Sequence, residues 1–203
     1  MEVLPVPAPR SRIEVPDDPR DLPGDFAHRH QVETRFSDTD AMGHVNNASY
    51  LTYVEIARLA YYEAVTGRPL PLWTHGAQEG MILAELRITY RNPAFYGETI
   101  SIETRVDRIG RTSFSMVHRL TAPESRYGPA RLIAVADSVL VSYDYRAECP
   151  IAVPDDWRAA MEAFEGRALG CPAHVGWPAP RRPATRRTAG RSRPRSGRRS
   201  RSR

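Results

Sequence analysis

From His30 the chain alternates. Val32, Thr34 and Phe36 fall on one side and Gln31, Glu33 and Arg35 on the other, the two-residue period of a half-buried strand. From Asn47 the period lengthens: Tyr50, Val54, Ala57, Tyr61, Ala64 and Val65 recur three or four apart, which predicts a helix to about Thr66 with Gly67 placed to end it. Leu51, Tyr53, Ile56, Leu59, Ala60 and Tyr62 carry apolar surface beyond a single stripe, so this helix is expected to be covered on more than one side. Alternation then returns. Ile82, Ala84, Leu86, Ile88 and Tyr90 oppose Leu83, Glu85, Arg87 and Thr89, and Ile100, Ile102, Thr104 and Val106 oppose Ser101, Glu103, Arg105 and Asp107. After a turn at Gly110, Phe114, Met116, His118 and Leu120 repeat the rhythm. Arg131 to Tyr145 is mostly apolar on both faces, as a central strand requires, and Pro154 followed by two acids opens a short helix to about Phe164. The order is strand, long helix, then four strands. An α+β architecture satisfies it, an antiparallel sheet wrapped around one long central helix, because each covers the other's apolar surface.

The flanks read differently. Residues 1–27 hold Pro5, Pro7, Pro9, Pro16, Pro19 and Pro23, which deny a long helix or central strand, so a loose extension is expected before a body spanning 28–165. Residues 166–203 turn to Arg, Ser, Pro, Ala and Gly, a composition that cannot bury enough apolar surface to offset ordering entropy, and are expected to be disordered. The chain has no lysine. Eleven arginines and no acids lie in 181–203, which leaves eighteen arginines against 24 acids elsewhere and a body charge of about −6. An acidic body excludes a domain whose main task is gripping phosphate backbones. The tail alone could engage nucleic acid or an acidic surface through charge, although it lacks aromatics for stacking on bases.

Other classes fall away on spacing. Cys149 and Cys171 form neither a disulfide framework nor a zinc site, the six histidines show no metal-ligand spacing, and no G-x-S-x-G marks a nucleophilic serine. No apolar run approaches the roughly 20 residues that span a bilayer, and a cytoplasmic location is the expectation.

The chemistry concentrates in Phe36 to Glu55, F-S-D-T-D-A-M-G-H-V-N-N-A-S-Y-L-T-Y-V-E. Two acids, a glycine, a histidine and paired asparagines lie between a strand and the start of the long helix. The unpaired N–H groups and positive dipole of a helix start can stabilise a carbonyl oxygen as it gains charge, while a nearby carboxylate attacks or activates water. An aspartate here can equally cap the helix or form an Asx turn, and Asp38 is read as structural, pairing with Arg35 or shaping the turn. Asn46 and Asn47 are both good cap residues, Gly43 supplies backbone freedom, and Glu55 with Arg58, three apart, reads as a local ion pair.

D-T-D-A-M-G-H-V-N-N followed by an aromatic helix with E-x-x-R resembles the acyl-CoA thioesterases of the 4-hydroxybenzoyl-CoA thioesterase type. The resemblance continues in Tyr90-Arg91-Asn92-Pro93-Ala94 with Tyr96-Gly97-Glu98, and in Ile109-Gly110-Arg111-Thr112-Ser113, covering about residues 30–145. It implies the hot-dog fold and hydrolysis of an acyl-CoA thioester to a free acid and coenzyme A, with no cofactor. It places the catalytic carboxylate on Asp40 and the carbonyl-polarising N–H on Asn47, seven residues on. His44 assists or orients, and Glu55 is the reserve acid because some hot-dog enzymes use one on this helix. Gly43, Tyr50, Arg111 and Ser113 become substrate-binding candidates, the last two toward the pantetheine or phosphates of coenzyme A. Related acyl-carrier-protein thioesterases carry an asparagine where this chain has Met42. The family's assembly habit implies a homodimer or homotetramer. The rival reading is a non-catalytic acyl-thioester sensor whose tail meets nucleic acid. A hydratase or dehydratase on the same fold would require a different His/Asp arrangement.

Overall fold

Each alternating segment forms a strand and the three-to-four repeat forms the long helix, in a computed structural model that describes residues 25–68 and 78–170. The elements are β1 (His28–Glu33), α1 (Ser49–Thr66), β2 (Glu79–Tyr90), β3 (Thr99–Ile109), β4 (Ser113–Ala122), β5 (Arg131–Asp144), β6 (Cys149–Pro150) and α2 (Asp155–Glu165). The strands form one antiparallel sheet in the order β1-β3-β4-β5-β2, with the two-residue β6 added to β5. α1 lies against one face of it. Tyr50, Tyr53, Val54 and Ala57 pack with Ile100, Ile102, Leu120, Ala134 and Ala136 at one end. At the other, Tyr61 and Tyr62 pack with Val106, Met116, Leu140 and the α2 residues Trp157 and Met161. Gly67 ends α1 in the left-handed region (φ 64°), its N–H on the Glu63 carbonyl.

Several expectations shift. β1 stops at Glu33 because Thr34 turns inward, its N–H and hydroxyl on the Glu98 carbonyl and its hydroxyl also on that of Phe95; a 3-10 turn over Phe36–Asp38 follows and leaves Phe36 79% exposed. In β2 a bulge between Leu83 and Glu85 breaks the phase of the alternation, so Ile82 is exposed beside Leu83 while Leu86 and Ile88 still pack on the core. α1 is covered by the sheet and, at its C-terminal end, by α2, with Tyr62 edge-on to Trp157 at 5.2 Å, while Leu51 on the remaining face is 48% exposed. The expected Glu55–Arg58 ion pair is absent among the described residues: Glu55 is exposed, and Arg58 is buried with its Nη1 unpartnered. The body also runs past Glu165. Leu169 is buried, its carbonyl accepts the Ile109 N–H at 2.7 Å, and Arg167 donates to the Val106 carbonyl. The rest of the expected extension and tail, with residues 69–77, lies outside the described residues.

Three polar side chains cross the inner face of the sheet in a row, Thr104, His118 and Ser138, all buried. His118 Nδ1 lies 3.0 Å from Thr104 Oγ1 and Nε2 lies 3.1 Å from Ser138 Oγ, while the Ser138 hydroxyl turns to the Met116 carbonyl. Ser138 therefore accepts from Nε2–H and Thr104 donates to Nδ1, which matches a neutral imidazole at both nitrogens. Burial, reinforced by the Arg58 charge, lowers His118 to about 3. The unfolded ring takes up a proton near pH 6.5 and the folded ring does not, so the stability that goes with the neutral ring is complete above pH 6.5 and is lost as pH falls toward 3. From this residue the free energy of unfolding should fall by up to about 1.4 kcal/mol per pH unit across that window. Urea titrations of His118→Gln, which keeps a donor and an acceptor, should lack this part of the slope; an unchanged slope would assign it elsewhere.

Candidate active site

The loop between β1 and α1 is a tight hairpin. Thr39 bridges Val45, the Asp40 N–H donates to the His44 carbonyl, and the Asn46 N–H donates to the Asp38 carbonyl at 2.8 Å. Gly43 at its tip has φ 79°, a conformation that strains any residue with a Cβ even though open space surrounds it.

The two acids of D-x-D have opposite surroundings. Asp38 is buried; its carboxylate accepts the Arg35 N–H (2.9 Å), the Arg35 guanidinium (3.0 Å) and the Tyr53 hydroxyl (2.8 Å). Burial pushes this carboxyl up, but the Arg35 side chain and N–H and the Tyr53 hydroxyl outweigh it and hold the group below its ordinary value. All its acceptor capacity serves the fold. Asp40 is exposed and closes an Asx turn: Oδ1 accepts the N–H of Met42 at 2.8 Å and of His44 at 3.3 Å. Its other oxygen, Oδ2, has no partner among the described residues.

The backbone donors of this loop are almost fully used. From Met42 to Ser49 the N–H groups go to Asp40 Oδ1, the Asp40 carbonyl, Asp40 Oδ1 again, and the carbonyls of Ala94 and Asp38; beyond Asn47 they go to Asn46 Oδ1 and the Asn46 carbonyl. Among the described residues the Asn47 N–H alone in this run has no acceptor. The Asn46 side chain takes the Ala48 N–H in an Asx turn just ahead of the helix, whose N-cap, Ala48, has no side-chain cap. Asn47 does not cap through its side chain, and α1 begins two residues later than the apolar repeat predicts, at Ser49.

His44 is half-buried, its ring edge-on to Phe95 at 5.4 Å, and Phe95 stacks on Tyr127 at 4.4 Å. Tyr50 is buried beneath the loop, and burial pushes its phenol up to about 12, which keeps it neutral. Glu55 projects outward from α1 two turns further on. Arg111 and Ser113 stand at the β3–β4 turn, whereas the loop touches the start of β3 through Ala94 and Glu98. The 11 residues of β3 lie between, roughly 35 Å of strand. One chain therefore brings together Asp40, Gly43, His44, Asn47 and Tyr50 but not Arg111 or Ser113. Loop spacing gives no sign of Tyr90, whose hydroxyl donates to the Asn47 carbonyl at 3.0 Å; it opens the second stretch of family resemblance. No group of three or more His, Cys, Asp or Glu side chains among the described residues could hold a metal ion.

A family model for the thioesterase-like superfamily matches residues 34–161. A thioesterase from Thermus thermophilus, solved in complex with coenzyme A and Zn, is 32% identical with a TM-score of 0.59 over 71% of this chain and 98% of its own. YneP of Bacillus subtilis (strain 168), a candidate acyl-CoA thioesterase, is 28% identical over 139 residues, 65% of this chain and 93% of that protein. A mutant of 4-hydroxybenzoyl-CoA thioesterase in complex with 4-hydroxybenzoyl-CoA shares the fold at 21% identity, with a TM-score of 0.60 over 66% of this chain and 97% of its own. With the antiparallel sheet, the single long helix and the D-x-D hairpin at its entrance, the match across most of the body makes this chain a member of the thioesterase-like superfamily, with the hot-dog fold.

Proposed function

We propose that the chain hydrolyses acyl-CoA thioesters to a free acid and coenzyme A, with Asp40 and the Asn47 N–H as the reacting groups. The observation that carries this is the unmatched Asn47 N–H at the entrance to α1, on the hairpin that also presents the free oxygen of Asp40. A thioester carbonyl oxygen docked on that N–H is stabilised as it becomes negative. The Asp40 oxygen either attacks the carbonyl carbon, breaking the C–S bond to give coenzyme A thiolate and a mixed anhydride that water then hydrolyses to the free acid, or takes a proton from the water that attacks, in which case the C–S bond breaks and that proton passes to the leaving thiolate. The Met42 and His44 N–H groups on Oδ1 fix the direction of the carboxylate. Activity toward acyl-CoA esters in the relatives' names supports the substrate class.

The working unit in this reading is at least a dimer. β2 is an edge strand of 12 residues with Leu83 41% exposed, and the uncovered face of α1 adds Leu51 and Ile56. A long apolar edge of this kind is a template for a second copy. Joining two copies there also offers a way for Arg111 and Ser113 of one chain to serve the Asp40 hairpin of the other, a span that one chain cannot close.

Free-thiol release from a panel of short, long and aromatic acyl-CoAs should be measurable for the parent. Asp40→Asn should lower kcat by at least about 100-fold, the lower end for loss of a general base. Equal activity of the two proteins would move the site, and no release from any ester would leave the acyl-thioester-binding reading. In sedimentation, Leu83→Glu with Ile56→Glu should shift the protein toward monomer and abolish thiol release together. An active monomer would sink the shared-site reading.

A further inference from the structure

Resting on the hydrolase reading, we infer that Tyr90 is a positioning residue for the oxyanion-binding N–H of Asn47. Two peptide planes meet at Asn47. The one before it is held at its carbonyl, where Asn46 O accepts the Ser49 N–H at 2.9 Å, and offers its N–H outward. The one after it is held at both ends: Asn46 Oδ1 accepts the Ala48 N–H at 2.8 Å, and the Asn47 carbonyl accepts the Tyr90 hydroxyl at 3.0 Å. Of these anchors only Tyr90 comes from outside the loop. It is the last residue of β2, and its ring stands edge-on to that of buried Tyr50 at 5.1 Å, so the reach of the hydroxyl is set by packing.

Tyr90 is 42% exposed, and removing its hydroxyl leaves the ring contact and the core in place. The alternative partners of the Asn47 carbonyl are the N–H groups one turn along α1. Bonding to them would draw the helix start back from Ser49 toward Asn47 and swing its N–H toward the helix axis. With Tyr90 in place the carbonyl is drawn toward β2, and α1 begins at Ser49. The bond links the edge strand offered to a second copy with the donor that binds the substrate oxygen.

The test is Tyr90→Phe beside the parent and Asp40→Asn. Tyr90→Phe should lower kcat about 10- to 100-fold, as expected when an oxyanion donor is displaced by a fraction of an ångström to an ångström. KM should stay within about twofold and the melting temperature should hold, because binding and core are untouched. The Asn47 amide signal in NMR should move along with that of Ala48, whose peptide group carries the lost bond, and more than that of Asn46, whose acceptor is the Asp38 carbonyl, a readout that needs no turnover. Full kcat in Tyr90→Phe with Asp40→Asn inactive overturns the Tyr90 inference and leaves the hydrolase standing, as does a fall in kcat matched by a fall in melting temperature with the Asn47 amide unmoved. An active Asp40→Asn removes the site and the inference with it.

Discussion

The hairpin at the entrance to α1 depends on one buried carboxylate. Asp38 ties together three pieces of chain that sequence alone leaves loose: the end of β1 through Arg35, the second turn of α1 through the Tyr53 hydroxyl, and, through its own carbonyl, Asn46 and the Ser49 hydroxyl. A carboxylate buried without such partners costs several kcal/mol, so the arrangement holds as a whole or not at all. Its rigidity sets the direction of Asp40, two residues on, and of the Asn47 N–H across the hairpin. Ala94 closes the loop from the other side by accepting the Val45 N–H, and the buried Glu98 holds that segment to Arg131, Ser125 and the Phe95 N–H.

The same geometry fixes what one chain cannot do. α1 and the strands run the length of the body, so the hairpin sits at one end of the sheet and the β3–β4 turn at the other. A substrate with a reactive end and a distant polar handle would need contacts at both ends, and strand length forbids a single copy from bringing them together.

Most of the fold was legible because burial imposes a period on the sequence. The strands, the helix and its Gly67 stop follow from side chains that must face the core. What escaped the pattern depends on contacts made after folding. The bulge in β2 changes the face of Ile82 without altering composition, and Phe36 keeps the alternation in sequence while the backbone has already turned away to satisfy Thr34. Glu55 and Arg58 have the spacing of an ion pair, yet burial of the arginine toward His118 separates them. In the site, the division of labour between Asp38 and Asp40 followed from Arg35 and the loop motif. Tyr90 was invisible because its role depends on β2 ending beside Asn47, which no local spacing encodes.

That division carries the chemistry. Two carboxylates two residues apart would raise each other's proton affinity if both faced the same space, and an acid that must act ionised near neutral pH would suffer. Here one is neutralised by Arg35 and turned inward, so the other has no bare like charge beside it. Asp40 in turn spends one oxygen on the loop's own N–H groups, and its other oxygen has no partner among the described residues. From Met42 to Ser49 the Asn47 N–H is the main-chain donor without an acceptor among the described residues. In the proposed reaction the second Asp40 oxygen and the Asn47 N–H are what the hairpin leaves for a substrate, once its other main-chain donors from Met42 to Ser49 have been used by the fold.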